Sequence, residues 1–232
     1  MKSLRKSLLT PFVLTLAAAA AFAQPKPISP RAEQLWEQAS QLPTVQALSL
    51  LLEAAQLGHP RAQATLGNIY WNGYANQAQD YRKAAYWYSL AAAQGHRSAE
   101  FNLAGIYTEG LGGVSVDLHR AAELLIDSSR QGYAPAQEAL GISYEFGEGL
   151  QRNRRSAVYW LQQAAAQGDQ TASQLATFLN RPNTPVFQSE AQLANYVAAQ
   201  MSNQRGAGHG CVPNMNWSPT GHTDVGPMVY CH

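Results

Sequence analysis

The residues best suited to chemistry are two cysteines and three histidines near the C-terminal end of the chain: His209, Cys211, His222, Cys231 and His232. Thiolate and imidazole groups are zinc ligands, so these side chains could form a mixed metal site. Their spacings match none of the usual zinc motifs. A disulfide would close a loop of about 20 residues and add about 3 kcal/mol of stability. Both interpretations depend on whether the cysteines meet an oxidising compartment.

The N-terminal residues indicate which compartment the protein enters. Three basic residues precede an apolar stretch from Leu8 to Ala21, which is too short to span a membrane comfortably. The small residues Ala21 and Ala23 form a cleavage pattern, so we expect a signal peptide at residues 1–23 and no membrane span after its removal. The lysine-poor, Ala/Gln-rich composition and the short signal segment are typical of a bacterial exported protein. We therefore expect the mature protein in the periplasm or outside the cell. That environment favours a Cys211–Cys231 disulfide over a metal site.

Other catalytic patterns are nearly absent. Ser3 and Lys6 have the spacing of a serine–lysine pair, but both lie in the signal segment. The chain contains no nucleophile elbow, zinc-protease motif or phosphate loop. With 16 Lys+Arg and 15 Asp+Glu, its balanced charge also gives no reason to expect a nucleic-acid partner. We therefore expect no catalytic residues, no bound metal and no cofactor.

A repeat organises the middle of the chain. Tyr70, Tyr107 and Tyr144 are 37 residues apart, and the same period relates Gly58, Gly95, Gly132 and, one residue short, Gly168. Within a unit, Ala62, Leu66 and Ile69 recur at helical spacing, and a glycine follows three residues after each tyrosine, where a helix would end. A second apolar helix follows. Repeats of this length that each contain a helix pair predict an all-α fold.

The fold class that follows is a right-handed α-solenoid of antiparallel helix pairs, with a short irregular, disulfide-closed C-terminal tail. Gly67 and Gly141 recur inside predicted helices, where glycine costs about 1 kcal/mol relative to alanine. Their recurrence predicts a close packing contact that leaves no room for a side chain.

These motifs resemble the Sel1-like repeat (SLR) family, which is related to the tetratricopeptide repeats. The first copy carries the family pattern at Ala62, Leu66, Gly67, Tyr70, Gly73, Asp80, Lys83, Ala84, Trp87, Ala91, Ala92 and Gly95. Two more copies follow, with Leu124 in place of a tryptophan and Asn153 in place of an aspartate. The resemblance covers about residues 43–180 and implies a protein-interaction module.

The resulting organisation has four parts. After the signal peptide, residues 24–42 form a leader and an N-terminal capping helix, and residues 43–180 form the solenoid. Its full repeats occupy about 61–97, 98–134 and 135–170. Residues 181–232 form a C-terminal helix, predicted from Ser189 to Gln204, and the disulfide tail.

The first helix of each pair lines the inner surface of a solenoid, so we expect a binding face there. Within these helices, the candidate positions are those whose residue differs between copies while the packing residues stay the same. Exposed aromatic or aliphatic side chains there would anchor a partner, whereas the alternative is that they pack against neighbouring helices. The candidate residues are Asn68, Trp71, Asn72, Thr108, Glu109, Ile142, Glu145 and Phe146.

The sequence therefore predicts a non-enzymatic, exported adaptor, regulator or inhibitor that binds another envelope or secreted protein or peptide. One alternative is an envelope hydrolase that acts on β-lactams or the cell wall. The SLR proteins linked to β-lactams carry a cysteine pair in each repeat, and residues 43–180 contain none. A periplasmic metal-binding protein is the second alternative. The oligomeric state stays open.

Overall fold

The computed structural model describes residues 27–182, 184–189 and 191–197. The signal peptide and the Cys211–Cys231 pair lie outside these residues, so both stay predictions. The described residues form nine named α-helices: α1 (Pro30–Ser40), α2 (Thr44–Gln56), α3 (Pro60–Asn72), α4 (Tyr81–Ala92), α5 (Arg97–Glu109), α6 (Leu118–Arg130), α7 (Ala134–Phe146), α8 (Arg154–Ala165) and α9 (Gln170–Leu179). None of the helices searched, all within those ranges, is long and apolar enough to cross a membrane.

Each helix packs on the one that follows it, and the most extensive contacts join the two helices of a repeat: α3 with α4, α5 with α6, and α7 with α8. The predicted stripe residues Leu66 and Leu140 are fully buried. Successive pairs share this apolar core, so each repeat covers the face that the previous one leaves open. The helical-repeat prediction is thus confirmed for the described part of the chain.

The sequence period also sets the helix ends. Asp80, Asp117 and Asn153 occupy the N-caps of α4, α6 and α8, where each side chain accepts a hydrogen bond from a backbone N–H three residues later. Gly73 ends α3 with a φ of 74°, in the left-handed region that favours glycine. Gly110 and Gly147 end α5 and α7 in the same way, as their spacing predicts.

The residue that follows the closing glycine of each unit caps the next helix. His59, His96, Tyr133 and Asp169 are the N-cap residues of α3, α5, α7 and α9. The imidazole of His59 accepts from the Ala62 N–H through Nδ1 and contacts Glu33 through Nε2 at 3.2 Å. Its ring also stacks on Trp36, which fixes α1 over the start of the first full repeat.

The chain after α9 folds back on the last repeat. Phe187 is buried, and a helical stretch at 191–197 buries Leu193 and Val197 against the apolar core of α8 and α9. The ring of Tyr196 contacts Phe178 and Phe187. This stretch coincides with the start of the predicted C-terminal helix, and it covers the end of the solenoid.

Candidate binding groove

A groove runs between α5 and α7, the first helices of the second and third full repeats. Its cavity volume is about 30 Å³, and it opens to solvent. Small residues of α5 create the space, because Gly105 stands where α3 carries Asn68 and α7 carries Ile142. The residues that line it are Phe101, Ala104, Gly105, Thr108, Leu125, Ala139, Ile142, Ser143 and Glu148.

The lining is apolar or uncharged except at Glu148, in the loop after α7. The Glu148 side chain is half-buried, and this burial raises the pKa of its carboxyl group. The two arginines that follow it in sequence, Arg152 and Arg154, are both bonded to Glu145. The groove is therefore a small cleft with buried apolar side chains at its base and one carboxylate at its edge.

Asn68 belongs to a polar network between the first two full repeats. The Tyr88 hydroxyl donates to Asn68 Oδ1 at 2.7 Å, and Asn102 Nδ2 donates to the same oxygen at 3.2 Å. Burial raises the pKa of Tyr88 far above its usual value, so the hydroxyl stays a neutral donor. The Asn68 oxygen is thus used for holding α3, α4 and α5 together.

Glu145, a candidate binding residue, instead forms ion pairs inside the fold. Its side chain is fully buried, Arg152 donates to Oε1 at 2.8 Å, and Arg154 donates to Oε2 at 3.1 Å. Arg154 also donates to the backbone carbonyls of Thr184 and Pro185 at 3.0 and 2.9 Å. The cluster fastens the returning chain to the third repeat, which removes Glu145 from the binding face.

Trp71 is likewise not a surface anchor. It is 7% exposed, and its ring meets the edge of Tyr81 with 5.0 Å between ring centroids. Of the two alternatives for Trp71, packing against a neighbouring helix is the one observed, because α4 packs over this face of α3. Ile142 is also buried, although it lines the groove, and half-buried Phe146 packs on the C-terminal apolar core.

The remaining candidates lie on the surface to different degrees. Asn72 and Thr108 are half-buried and bond to carbonyls of their own helices, those of Asn68 and Ala104. Glu109, at the end of α5, is exposed. Of the eight candidates, the groove includes Thr108 and Ile142.

A second set of residues was missed by the sequence reasoning. Gln63 and Gln137, near the starts of α3 and α7, donate to carbonyls of the preceding helix, Ala55 at 3.0 Å and Ser129 at 3.1 Å. Glu100 holds the same position in α5. Each of the three accepts from a glutamine at the end of the next helix, and these donors are Gln94, Gln131 and Gln167. We call these six residues the glutamine ladder.

Glu100 gives the glutamine ladder one titratable position. The residue is 5% exposed, and burial together with the nearby charge of Asp127 raises the pKa of its carboxyl group to about 7, although the bond from Gln131 acts in the opposite direction. Glu138 on α7 has a pKa raised to about 7 by burial and by Asp169. Among the described residues no group of three His, Cys, Asp or Glu side chains could hold a metal ion.

Two solved structures share this architecture. A Sel1 repeat protein from Oxalobacter formigenes is 32% identical over 56% of this chain and 96% of its own, with a TM-score of 0.51. A protective antigen of uropathogenic Escherichia coli strains with an SLR fold is 26% identical over 75% of this chain, with a TM-score of 0.58. This chain spans 41% of that antigen's length. No curated protein matches the sequence.

The Sel1 repeat pattern matches residues 44–59, 60–96, 97–133 and 134–169, which is more than half of the chain. The first match covers α2 alone, and each of the other three begins at the first residue of α3, α5 or α7. The matched units therefore coincide with the helix pairs that build the groove, and the chain belongs to the Sel1 repeat family.

Proposed function

We propose that this protein is an exported, non-enzymatic adaptor that binds a segment of another envelope or secreted protein in the groove between α5 and α7. Sel1 repeats are protein-interaction modules, and the family is generally non-enzymatic. The observation that carries the proposal is that the matched repeats coincide with helix pairs that leave a cleft of about 30 Å³ between the first helices of two of them, where a partner can insert a small group.

The sequence supports the location. Its basic start, apolar stretch and small-residue cleavage pattern are those of a signal peptide. N-terminal sequencing of protein from a periplasmic extract should find Gln24 as the first residue. Retention of Met1 would contradict the export proposal.

Site-specific crosslinking tests the groove. A photoreactive amino acid at Thr108 should crosslink one partner in intact cells. The Ala139→Arg variant should abolish the adduct, because the long side chain fills the groove from its half-buried position on α7. Gln163→Arg, exposed on α8 and outside the groove lining, is the matched control and should leave the adduct unchanged. An adduct that survives Ala139→Arg would place binding elsewhere.

The non-enzymatic part of the proposal has its own test. Mature protein should leave β-lactams and peptidoglycan unchanged at enzyme-like concentrations. Reproducible turnover that depends on the protein would favour the hydrolase alternative. Elemental analysis of protein purified from the periplasm tests the metal-binding alternative in the same preparation.

A further inference from the structure

We propose that His59 is an acid-sensitive latch, which holds α1 on the first full repeat and releases it when the imidazole takes up a second proton. The proposal does not depend on the groove between α5 and α7. It follows from the two hydrogen bonds and the ring contact of His59, which suit the neutral imidazole and not the charged one.

The first step is the protonation state that these contacts require. The residue is 1% exposed, and as the N-cap of α3 it accepts from the Ala62 N–H through Nδ1 at 3.2 Å. The other ring nitrogen, Nε2, lies 3.2 Å from Glu33 Oε2 and donates to it, because a carboxylate only accepts. His59 is therefore the neutral Nε2–H tautomer. A proton on Nδ1 would point a donor at the Ala62 N–H and abolish the cap.

The second step is the balance of charge around the ring. Glu33 on α1 attracts an imidazolium, but 47% of its side chain is exposed, so water weakens that attraction. Arg61 on α3 opposes protonation, and so does His96 at the N-cap of α5 when it is itself charged. Burial is the largest effect, and it lowers the pKa of His59 below its ordinary value although Glu33 acts in the opposite direction.

The third step is the attachment of α1. This helix has 11 residues, a length that is marginal in water on its own, and it buries two alanines and Leu35. Arg31 pairs with Glu53, the charged residue of α2, but about half of each side chain is exposed, so the pair contributes little. The ring of Trp36 stacks on His59 with 5.2 Å between centroids. A charged His59 ring can regain water only by leaving its buried position, and α1 then loses both of its contacts with the ring.

The sign of the pH dependence follows from the lowered pKa of His59. The latch contributes its full stability above about pH 6.5, the ordinary pKa of an imidazole, and loses it as pH falls through the lower pKa of the folded ring. Between these two pKa values, each pH unit should favour the opening of α1 by up to about tenfold, because opening takes up one proton.

Amide hydrogen exchange of the mature protein, compared with the His59→Asn variant at each pH from 7 to 5, tests the latch. An asparagine can hold the same cap, as Asn153 does for α8, and it does not titrate. The comparison cancels the intrinsic pH dependence of exchange and the titration of Glu100 and Glu138. Exchange of the α1 amides should accelerate with acid in the original protein relative to the variant, and exchange in α8 should not.

His96→Asn is the matched control, because His96 makes no side-chain bond to the helix that it precedes. It should leave most of the pH response of α1 in place, and loss of the response would identify His96 as the sensor and overturn the proposal. An equal response of the original protein and His59→Asn, or slower α1 exchange in acid, would also overturn it.

An NMR titration of the His59 ring protons gives a test that needs no folded variant. A pKa below 6.5 is expected. A pKa at or above 6.5 would show that Glu33 and the face of Trp36 stabilise the imidazolium more than burial and the cap oppose it, and the latch would then tighten in acid, contrary to the proposal.

Discussion

Gly67 lies against the ring of Tyr88, so closely that a Cβ atom on Gly67 would stand 2.4 Å from two of the ring carbons. The absent side chain lets α3 and α4 approach, and the Tyr88 ring fills the space between them. Gly141 meets Leu161 in the third repeat in the same way, at 2.7 Å. In the second repeat the equivalent residues are Ala104 and Leu125, so an alanine opposite a leucine is compatible with this packing.

Gly67→Ala should destabilise the protein by about 1–3 kcal/mol, because the new methyl group must displace a fully buried aromatic ring. The loss should appear as a lower midpoint in urea or a lower melting temperature. Gly141→Ala is the matched comparison and should cost less, since the second repeat already combines alanine with leucine. If neither variant changes the free energy of unfolding, α3 and α4, and likewise α7 and α8, can move apart to admit a methyl group without losing stability.

Together with Glu138, whose pKa is also raised to about 7, Glu100 should make stability fall as pH rises from 5 to 8. Its pKa is raised from the ordinary value to about 7 in the folded protein, so the native state holds a proton that the unfolded chain has lost. The contribution of Glu100 to the free energy of unfolding is complete below the pKa that its carboxyl group has in the unfolded chain. It is lost as pH rises through the pKa that the group has in the folded protein.

Glu100→Gln isolates this effect. Gln at this position is neutral and can donate to the carbonyl of Ala92 as Gln63 and Gln137 do in their repeats. The unfolding free energy of the variant should exceed that of the original protein by an amount that grows by on the order of 2 kcal/mol between pH 5 and 8. A difference that stays constant with pH would show that Glu100 does not titrate in this range.

Arg154→Lys should loosen the chain that follows α9. A lysine ammonium cannot serve a carboxylate and two carbonyls with the fixed fork of an arginine, so we expect a loss of about 1–3 kcal/mol. Chymotrypsin should then cut faster after the buried Phe187. Arg155→Lys, at the exposed neighbouring residue, is the control and should change neither stability nor cleavage.

Cys211 and Cys231 should be joined in exported protein. Thiol labelling of denatured, non-reduced protein should find no free thiol, and the Cys211→Ser, Cys231→Ser double variant should lose at most a few kcal/mol of stability, since the repeats keep their own core. Two reactive thiols in the denatured protein would exclude the bond and favour the metal site with His209, His222 and His232.

The period of the sequence was enough to predict the helix pairs and their ends, because one glycine or capping residue per repeat sets a boundary locally. It did not predict which side chains face solvent. Trp71 and Glu145 vary between copies, which suggested a binding surface, but their burial depends on Tyr81 of the next helix and on arginines seven and nine residues later. Such contacts are made only when the helices have packed.

The glutamine ladder was missed for a different reason. Gln94, Gln131 and Gln167 follow the same spacing as the glycines beside them, so the signal was present in the sequence. Polar residues with that spacing are consistent with a solvated surface, and only the distances to Gln63, Glu100 and Gln137 show that they join helices. The groove could not be predicted from the sequence either, because it forms beside small residues whose neighbours are determined only when the helices pack.

The unequal links of the glutamine ladder give the α4–α5 junction a pH dependence that the α2–α3 and α6–α7 junctions lack. At α2–α3 and α6–α7 a glutamine ties one helix pair to the next, whereas the charged carboxylate of Glu100 cannot donate across α4–α5. The apolar core and the bonds from Asn102 to Asn68 and from Arg82 to the Gly112 carbonyl hold that junction. Above neutral pH we therefore expect the amide hydrogens at α4–α5 to exchange faster, whereas those at α2–α3 and α6–α7 keep their rates.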